Sequence, residues 1–315
     1  MNRRIFLTAA AVPLADMTAQ TAPIPIIDTH IHLFDPTRPE GVPWPPKTNP
    51  ILYKSALPAR YSEVTKGLNV VGAIEVECST WLEDNQWVLD VSGKDKIMVG
   101  MIGNLEPGNP GFRHHLDRFH KNPLYLGIRY GNLWNRNPTE ELKKPEFAAD
   151  LKALAAAGLT LDTANPRLQL LQDMLRISDL VPNLRIVIDH LPNMPLPKEP
   201  AERAAYHTAM REFRKRPQVY VKVSEVLQRS GERVSYEVST YRAKLDEMWE
   251  TFGADRVLYG SDWPNSDPLG AYPQVLGVVR EYFAGKGREA SEKYFWKNSI
   301  AAYKWVKRDP SQPRV

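Results

Sequence analysis

A single (β/α)8 TIM barrel is the fold class this sequence predicts. Eight short, nearly continuous apolar runs alternate with helical periods, and successive runs start 25 to 46 residues apart. Each run ends at a polar residue. Parallel strands covered on both faces read as unbroken apolar runs, and a barrel enzyme carries its chemistry at the carboxyl ends of its strands. An open doubly wound sheet is the alternative. No Gly-rich phosphate fingerprint follows the first run, which counts against the dinucleotide-binding form of that fold.

The first strand is expected at 24–28, running into Asp28-Thr29-His30-Ile31-His32. A long irregular segment, 35–58, follows with seven prolines. Long loops at a catalytic rim are more often functional than not, so Trp44 is either a wall of the pocket or an anchor that packs the loop down. Strand two, 70–77, ends at Glu77, and a helix is expected over 83–92. Strand three, 97–103, leads to Asn104. His114, His115 and His120 lie on a helix after it and read as solvated. Strand four, 125–129, ends at Arg129. Pro145 opens a helix over 145–157 as a first-turn proline, and Gly158 caps it. Strand five, 159–163, offers Asp162. Pro166 is expected to open the next helix, 166–180. Strand six, 184–189, leads to His190. The basic helix 199–216 carries a solvated His207. Strand seven, 219–224, holds Lys222 and ends at Ser224-Glu225. Lys222 is either catalytic or a barrel-interior lysine paired with a carboxylate. A helix over 241–252 is capped by Gly253, and strand eight, 256–260, leads to Ser261-Asp262-Trp263-Pro264.

Composition removes several classes. With 43% apolar residues the chain is not disordered. No apolar run reaches about 18 residues, so membrane insertion is not expected. Lys+Arg 41 against Asp+Glu 37 is nearly even, which argues against a nucleic-acid partner. One cysteine, Cys78, excludes an intramolecular disulfide framework. Arg3-Arg4 before a short apolar stretch resembles a twin-arginine export signal. The expected organisation is therefore an export signal over 1–22, a barrel over 23–308 and a tail over 309–315. The protein would be periplasmic or secreted, and cytoplasmic if the signal is not used. The expected partner is a small polar molecule, and a homo-oligomer is compatible with the sequence.

His30 and His32 are the strongest single feature. Residues two apart in a strand share a face, so two imidazoles converge on one point, as metal binding or carbonyl polarisation requires. Ser79 and Ser261 lack a nucleophile-elbow context, and no histidine is placed by sequence to activate Cys78.

Three motifs together, Pro-Ile-Ile-Asp-Thr-His-Ile-His-Leu-Phe-Asp, Val-Ile-Asp-His-Leu-Pro and Leu-Tyr-Gly-Ser-Asp-Trp-Pro, resemble the amidohydrolase superfamily, specifically its amidohydrolase-2 group. The loop holding Trp44, Gly-Ile-Arg of strand four and Asp-His of strand six look most like the sugar-lactone and pyrone-dicarboxylate lactonases. The resemblance covers about residues 25–305. It implies a (β/α)8 barrel that hydrolyses the C–O bond of a lactone. Many zinc-dependent members take ligands from the His-x-His pair, a strand-five histidine and the strand-eight aspartate. Here His30, His32 and Asp262 match, but strand five has no histidine; Asp162 or Glu77 is the available substitute. Some lactonases of the group work without a metal. The resemblance therefore leaves the cofactor open between none and one divalent metal, zinc or manganese.

The expected roles follow. His30, His32 and His190 surround the substrate carbonyl or hold a metal that does so, and Asp262 takes the proton of the attacking water. Arg129 grips a carboxylate or hydroxyl with its planar fork, and Glu77 and Asp162 read sugar hydroxyls. A zinc-dependent decarboxylase, a C–N hydrolase and a lactone isomerase are rivals on the same scaffold. A non-catalytic periplasmic binding protein is the rival from another class, and it would be expected to have lost His30, His32 or Asp262.

Overall fold

The computed structural model describes residues 22–314. The proposed export segment lies almost wholly outside these residues. Eight parallel strands form the barrel: β1 (Ile26–Ile31), β2 (Val70–Val76), β3 (Met98–Gly103), β4 (Tyr125–Arg129), β5 (Thr160–Asp162), β6 (Arg185–Ile188), β7 (Val219–Val223) and β10 (Val257–Tyr259). They pair in that order. A two-stranded antiparallel ribbon, β8 (Arg229–Ser230) with β9 (Arg233–Val234), rises from the loop after β7. The ring closes through a parallel bridge between Ile31 and Trp263, with His32 N donating to Trp263 O (2.8 Å) and Asp262 N to His30 O (2.8 Å). Closure therefore occurs where the two strongest motifs meet. It also explains why β1 extends to Ile31 rather than stopping at Asp28.

Ile27, Ile74, Val76, Val99, Ile102, Val187 and Leu258 cluster with Ala302, Tyr303 and Trp305. The C-terminal segment closes the amino-terminal end of the barrel. Arg308 donates to Met98 O and Ser92 O, and Gln312 to Val71 O and Lys96 O. The stretch after 308, expected as a tail, is thus docked as far as Gln312. No helix among the described residues is long and apolar enough to cross a membrane.

Most helices form where the periodicity places them. The structure moves one: Pro166 is not a first-turn residue, because Arg167 is the extended N-cap (φ −138°, ψ 164°) and the helix is Leu168–Leu180. Pro58–Val64 and Tyr272–Gly285 are additional helices. Gly158 and Gly253 take the positive φ of 75° and 68° expected of caps.

Glu75 of β2 is 1% exposed, and neither of its oxygens has a hydrogen-bond partner among the described residues. It lies in a cavity with Trp44, Cys78, Asp84 and Met101. Burial, with the Glu77 charge adding, pushes its carboxyl well above the usual range. The folded protein thus keeps a proton that the unfolded chain releases above its ordinary carboxylate pKa, so stability falls as pH rises through that window. Glu75→Gln abolishes this titration. Relative to wild type, the variant should gain about 1–3 kcal/mol between pH 5.5 and 8.5. Denaturant titrations at the two pH values check it; an offset that does not change with pH would show that Glu75 is ionised in the fold.

Candidate active site

The site grows from the way β1 is locked to the end of β10. Asp28 Oδ1 accepts from Ser261 N (2.9 Å), and its Oδ2 accepts from Tyr61 OH (2.9 Å) and Tyr272 OH (2.8 Å). Thr29 Oγ1 donates to Tyr259 O (2.6 Å). These bonds hold His30, His32 and Asp262 in one register. Asn165, His190, Glu225 and Asp262 each follow a barrel strand with a positive φ of 49°, 57°, 49° and 60°. Non-glycine residues adopt this conformation at a cost on the order of 1 kcal/mol or more. Its repetition after β5, β6, β7 and β10 turns four polar side chains toward the barrel mouth.

Three imidazole Nε2 atoms converge on Asp262 Oδ1: His32 at 3.1 Å, His30 at 3.5 Å and His190 at 4.0 Å. His32 Nδ1 lies 2.6 Å from Val76 O. A carbonyl only accepts, so Nδ1 carries the hydrogen and Nε2 presents a lone pair to Asp262. His190 Nδ1 is 2.8 Å from Ser224 Oγ, and His30 Nε2 has no hydrogen-bond partner among the described residues. Burial lowers all three imidazoles, His32 to about 4 and His30 and His190 well below the usual range. Burial also raises Asp262 to about 6, against the bond from Asn265 Nδ2 to its Oδ2 (2.6 Å). Two acceptors face each other across 3.1 Å, a gap that calls for a proton or a cation. His30, His32 and Asp262 offer two imidazole nitrogens and a carboxylate oxygen that all lie within 4.8 Å of one another, a donor set that fits a divalent cation. His190, at the end of β6, groups instead with Glu225 and the same Asp262.

Above this cluster lies a cavity of about 140 Å³ bounded by His32, Trp44, Arg129, Trp134, Glu225 and Asn265. Trp44 lines this cavity, meeting His32 edge-on at 5.6 Å, and also packs on Phe34 at 5.3 Å, so it stands both at the pocket wall and against the core. Arg129 also lines the cavity, with Nε on Thr163 O (3.1 Å) and Nη1 on Glu77 O (3.2 Å) fixing the plane of its guanidinium.

Two expected substrate contacts are corrected. Glu77 is not free to read hydroxyls: its carboxylate accepts from Arg136 Nη1 (3.2 Å), Trp134 Nε1 (3.1 Å) and Ser79 N (3.2 Å). It holds the Trp134 wall instead. Asp162 is fully buried and accepts from Lys222 Nζ (2.7 Å), Tyr303 OH (2.6 Å) and Thr160 Oγ1 (2.9 Å). Lys222 is thus the carboxylate-paired interior lysine, with Asp189 Oδ1 also at 3.1 Å.

Trp134 and Asn265 are site residues not named from the sequence, and Glu225 and Asp189 were named only as strand ends, without a role. Glu225 stands 3.8 Å from His190 Nε2, accepts from Asn193, and is pushed up to about 8 by burial and the Asp262 charge. Its place directly after β7 was a usable signal, as was Trp134 in the loop after β4. Of the blander residues, His114 and His207 are exposed, His115 and His120 are half-buried, and Cys78 is buried.

The comparisons give this barrel and its rim cluster a class. The amidohydrolase family model (Amidohydro_2) matches residues 27–305, so the chain belongs to the amidohydrolase family. It falls in the lactonase-like group of amidohydrolase-related hydrolases. It is 28% identical over 249 residues to the L-fucono-1,5-lactonase of Burkholderia ambifaria, covering 78% of this chain and 82% of that one. An amidohydrolase from Burkholderia multivorans with bound zinc shares the fold at TM-score 0.76 and 18% identity, over 90% of this chain and all of that one. A probable 2-pyrone-4,6-dicarboxylic acid hydrolase from Acinetobacter baumannii does so at TM-score 0.70 and 17% identity, over 89% and 99% of the two chains.

Proposed function

We propose that this protein hydrolyses the lactone of a small neutral sugar acid. The observation that carries the reading is the convergence of three imidazole Nε2 atoms on Asp262 Oδ1 beneath a cavity walled by Trp44 and Trp134. Indole walls suit the C–H faces of a sugar ring. A cavity of about 140 Å³ suits a single such ring. Charge separates neutral from anionic substrates. Arg129 is the cation at the cavity, and it lies 3.7 Å from Asp189, while Glu225 and Asp262 share the lining. A dicarboxylate would meet one compensated cation and two acids. The similarity to an L-fucono-1,5-lactonase supports the same choice.

His30, His32 and Asp262 would hold a divalent cation, zinc or manganese. Such an ion polarises a carbonyl as a Lewis acid. The chain's own residues do the rest. Trp44 and Trp134 exclude water from the ring faces, and Arg129 orients a hydroxyl. Asp262 takes the proton of the attacking water and returns it to the ring oxygen as the acyl C–O bond breaks. Asn265 holds Oδ2, so Oδ1 faces the reaction.

The test is acid release from a panel of neutral aldonolactones and one pyrone dicarboxylate, followed with a pH indicator in the presence of zinc or manganese. Hydrolysis of neutral lactones with little or none of the dicarboxylate is expected. Release from the dicarboxylate alone, or from no lactone, would overturn the reading. Trp134→Ala should raise KM about tenfold with a smaller change in kcat, because the wall binds ground state and transition state alike. Steady-state kinetics separate the two.

A further inference from the structure

We propose that Arg136 is a positioning residue whose planar fork aims the Glu77 carboxylate at the Trp134 indole and so sets the affinity of the cavity for substrate. Its side chain is 3% exposed and stands outside the cavity lining. Nε donates to Glu106 Oε1 (3.0 Å), Nη1 to Glu77 Oε1 (3.2 Å) and to Arg129 O (3.1 Å), and Nη2 to Asn104 O (3.0 Å). One guanidinium therefore ties together the chain leaving β2, β3 and β4. Because Arg136 takes Glu77 Oε1, Oε2 is turned to accept from Trp134 Nε1 (3.1 Å) and Ser79 N (3.2 Å). An indole has a single donor, so this bond alone fixes the polar edge of the Trp134 wall.

The backbone shows why the wall needs such a hold. Trp134 and Asn135 are consecutive non-glycine residues in the left-handed region, at φ 59° and 61°. Such a conformation persists only where its surroundings over-determine it. On the near side, Asn132 is held by its N on Ala164 O (3.0 Å) and its Nδ2 on Asn165 O (3.0 Å). On the far side the hold is Arg136, whose N also donates to Leu133 O (3.1 Å). A lysine would keep the charge, but its one nitrogen cannot reach acceptors spread around a planar fork. Arg129 is less dependent on Arg136. Its backbone pairs with Asp162 in the barrel, and its guanidinium is fixed by Thr163 O and Glu77 O. Loss of the fork therefore moves the wall more than it moves Arg129. The effect on substrate affinity rests on the lactonase reading given above; the aim of the indole does not.

The test uses R136K, which keeps a cation beside the buried Glu77. Proton–nitrogen NMR of the tryptophan indoles in ligand-free protein, with the Trp134 signal assigned by its absence in W134F, reads the bond to Glu77 directly. In R136K that signal should move upfield as the bond to the carboxylate weakens. With a neutral aldonolactone, KM should rise about fivefold while kcat stays within about twofold. In the W134A background the same substitution should leave KM within about twofold, because Arg136 acts through the indole that is already gone. An unmoved Trp134 signal in R136K would overturn the proposal, since a point charge would then suffice. So would a KM effect that persists in full in R136K/W134A, or a loss confined to kcat. Should R136K not fold, E106A frees Nε of the same fork from the outside, where Glu106 is 40% exposed; it must move the same indole signal, and an unmoved signal there overturns the proposal. If wild type hydrolyses no lactone, the functional reading falls and the indole spectra alone decide whether Arg136 aims the wall.

Discussion

Asp262→Asn should lower kcat on a neutral aldonolactone by about 10²–10⁴-fold, the span associated with losing a positioned general base, with little change in KM. Asparagine keeps the side-chain volume and tolerates the left-handed backbone that Asp262 adopts at φ 60°. The fold and the bridge between Ile31 and Trp263 should therefore survive, and circular dichroism and melting temperature check that they do. Two things are lost: the charge beside three imidazoles, and the oxygen that receives the water proton. Where Asp262 offers Oδ1 to His32 at 3.1 Å, an amide either donates to that imidazole or offers a weaker acceptor. A variant within about tenfold of wild type would remove Asp262 from the chemistry and leave the histidines to supply the base.

Lys222→Met alone should destabilise the fold by about 3–5 kcal/mol, the usual result of removing one partner of a buried ion pair. Asp162 and Asp189 would then be left in the barrel interior with Arg129 as the nearest remaining cation. Asp162 would retain its bonds from Tyr303 and Thr160, but Asp189 has no comparable support. A fall in melting temperature on the order of 10 °C is expected. Adding Asp162→Asn should restore more than half of the loss, because it removes the charge that Lys222 balances at closest range. If the single variant melts within about 2 °C of wild type, the network carries no net stability and Lys222 can be replaced freely.

The barrel and the reactive cluster were legible for related reasons. Apolar runs broken at regular intervals are imposed by strands covered on both faces, and the polar residues that end them are imposed by the rim. His30, His32, His190 and Asp262 follow from strand ends alone. What single positions do not reveal is how a charge is spent. Glu77 and Asp162 end strands as a substrate reader would. Their partners, Arg136, Lys222 and Tyr303, lie 59, 60 and 141 residues away, and only the closed ring brings them together. Trp134 and Glu225 were hidden differently: each follows a strand terminus within a few residues, but its aim is set by a left-handed backbone, at φ 59° and 49°. The helix Tyr272–Gly285 was obscured by its composition. Gly277 and the valines at 275, 278 and 279 are weak helix formers, and packing of that apolar face against the barrel overrides them.

The most direct measurement is hydrolysis of a neutral aldonolactone in ¹⁸O-labelled water, with product analysed by mass spectrometry under single-turnover conditions. Attack at the carbonyl with Asp262 as base predicts one ¹⁸O per product molecule, located in the carboxylate. Label in the hydroxyl at the former ring oxygen would show cleavage on the alkyl side, and unlabelled, isomeric lactone would show proton transfer without hydrolysis; either would contradict water attack at the lactone carbonyl.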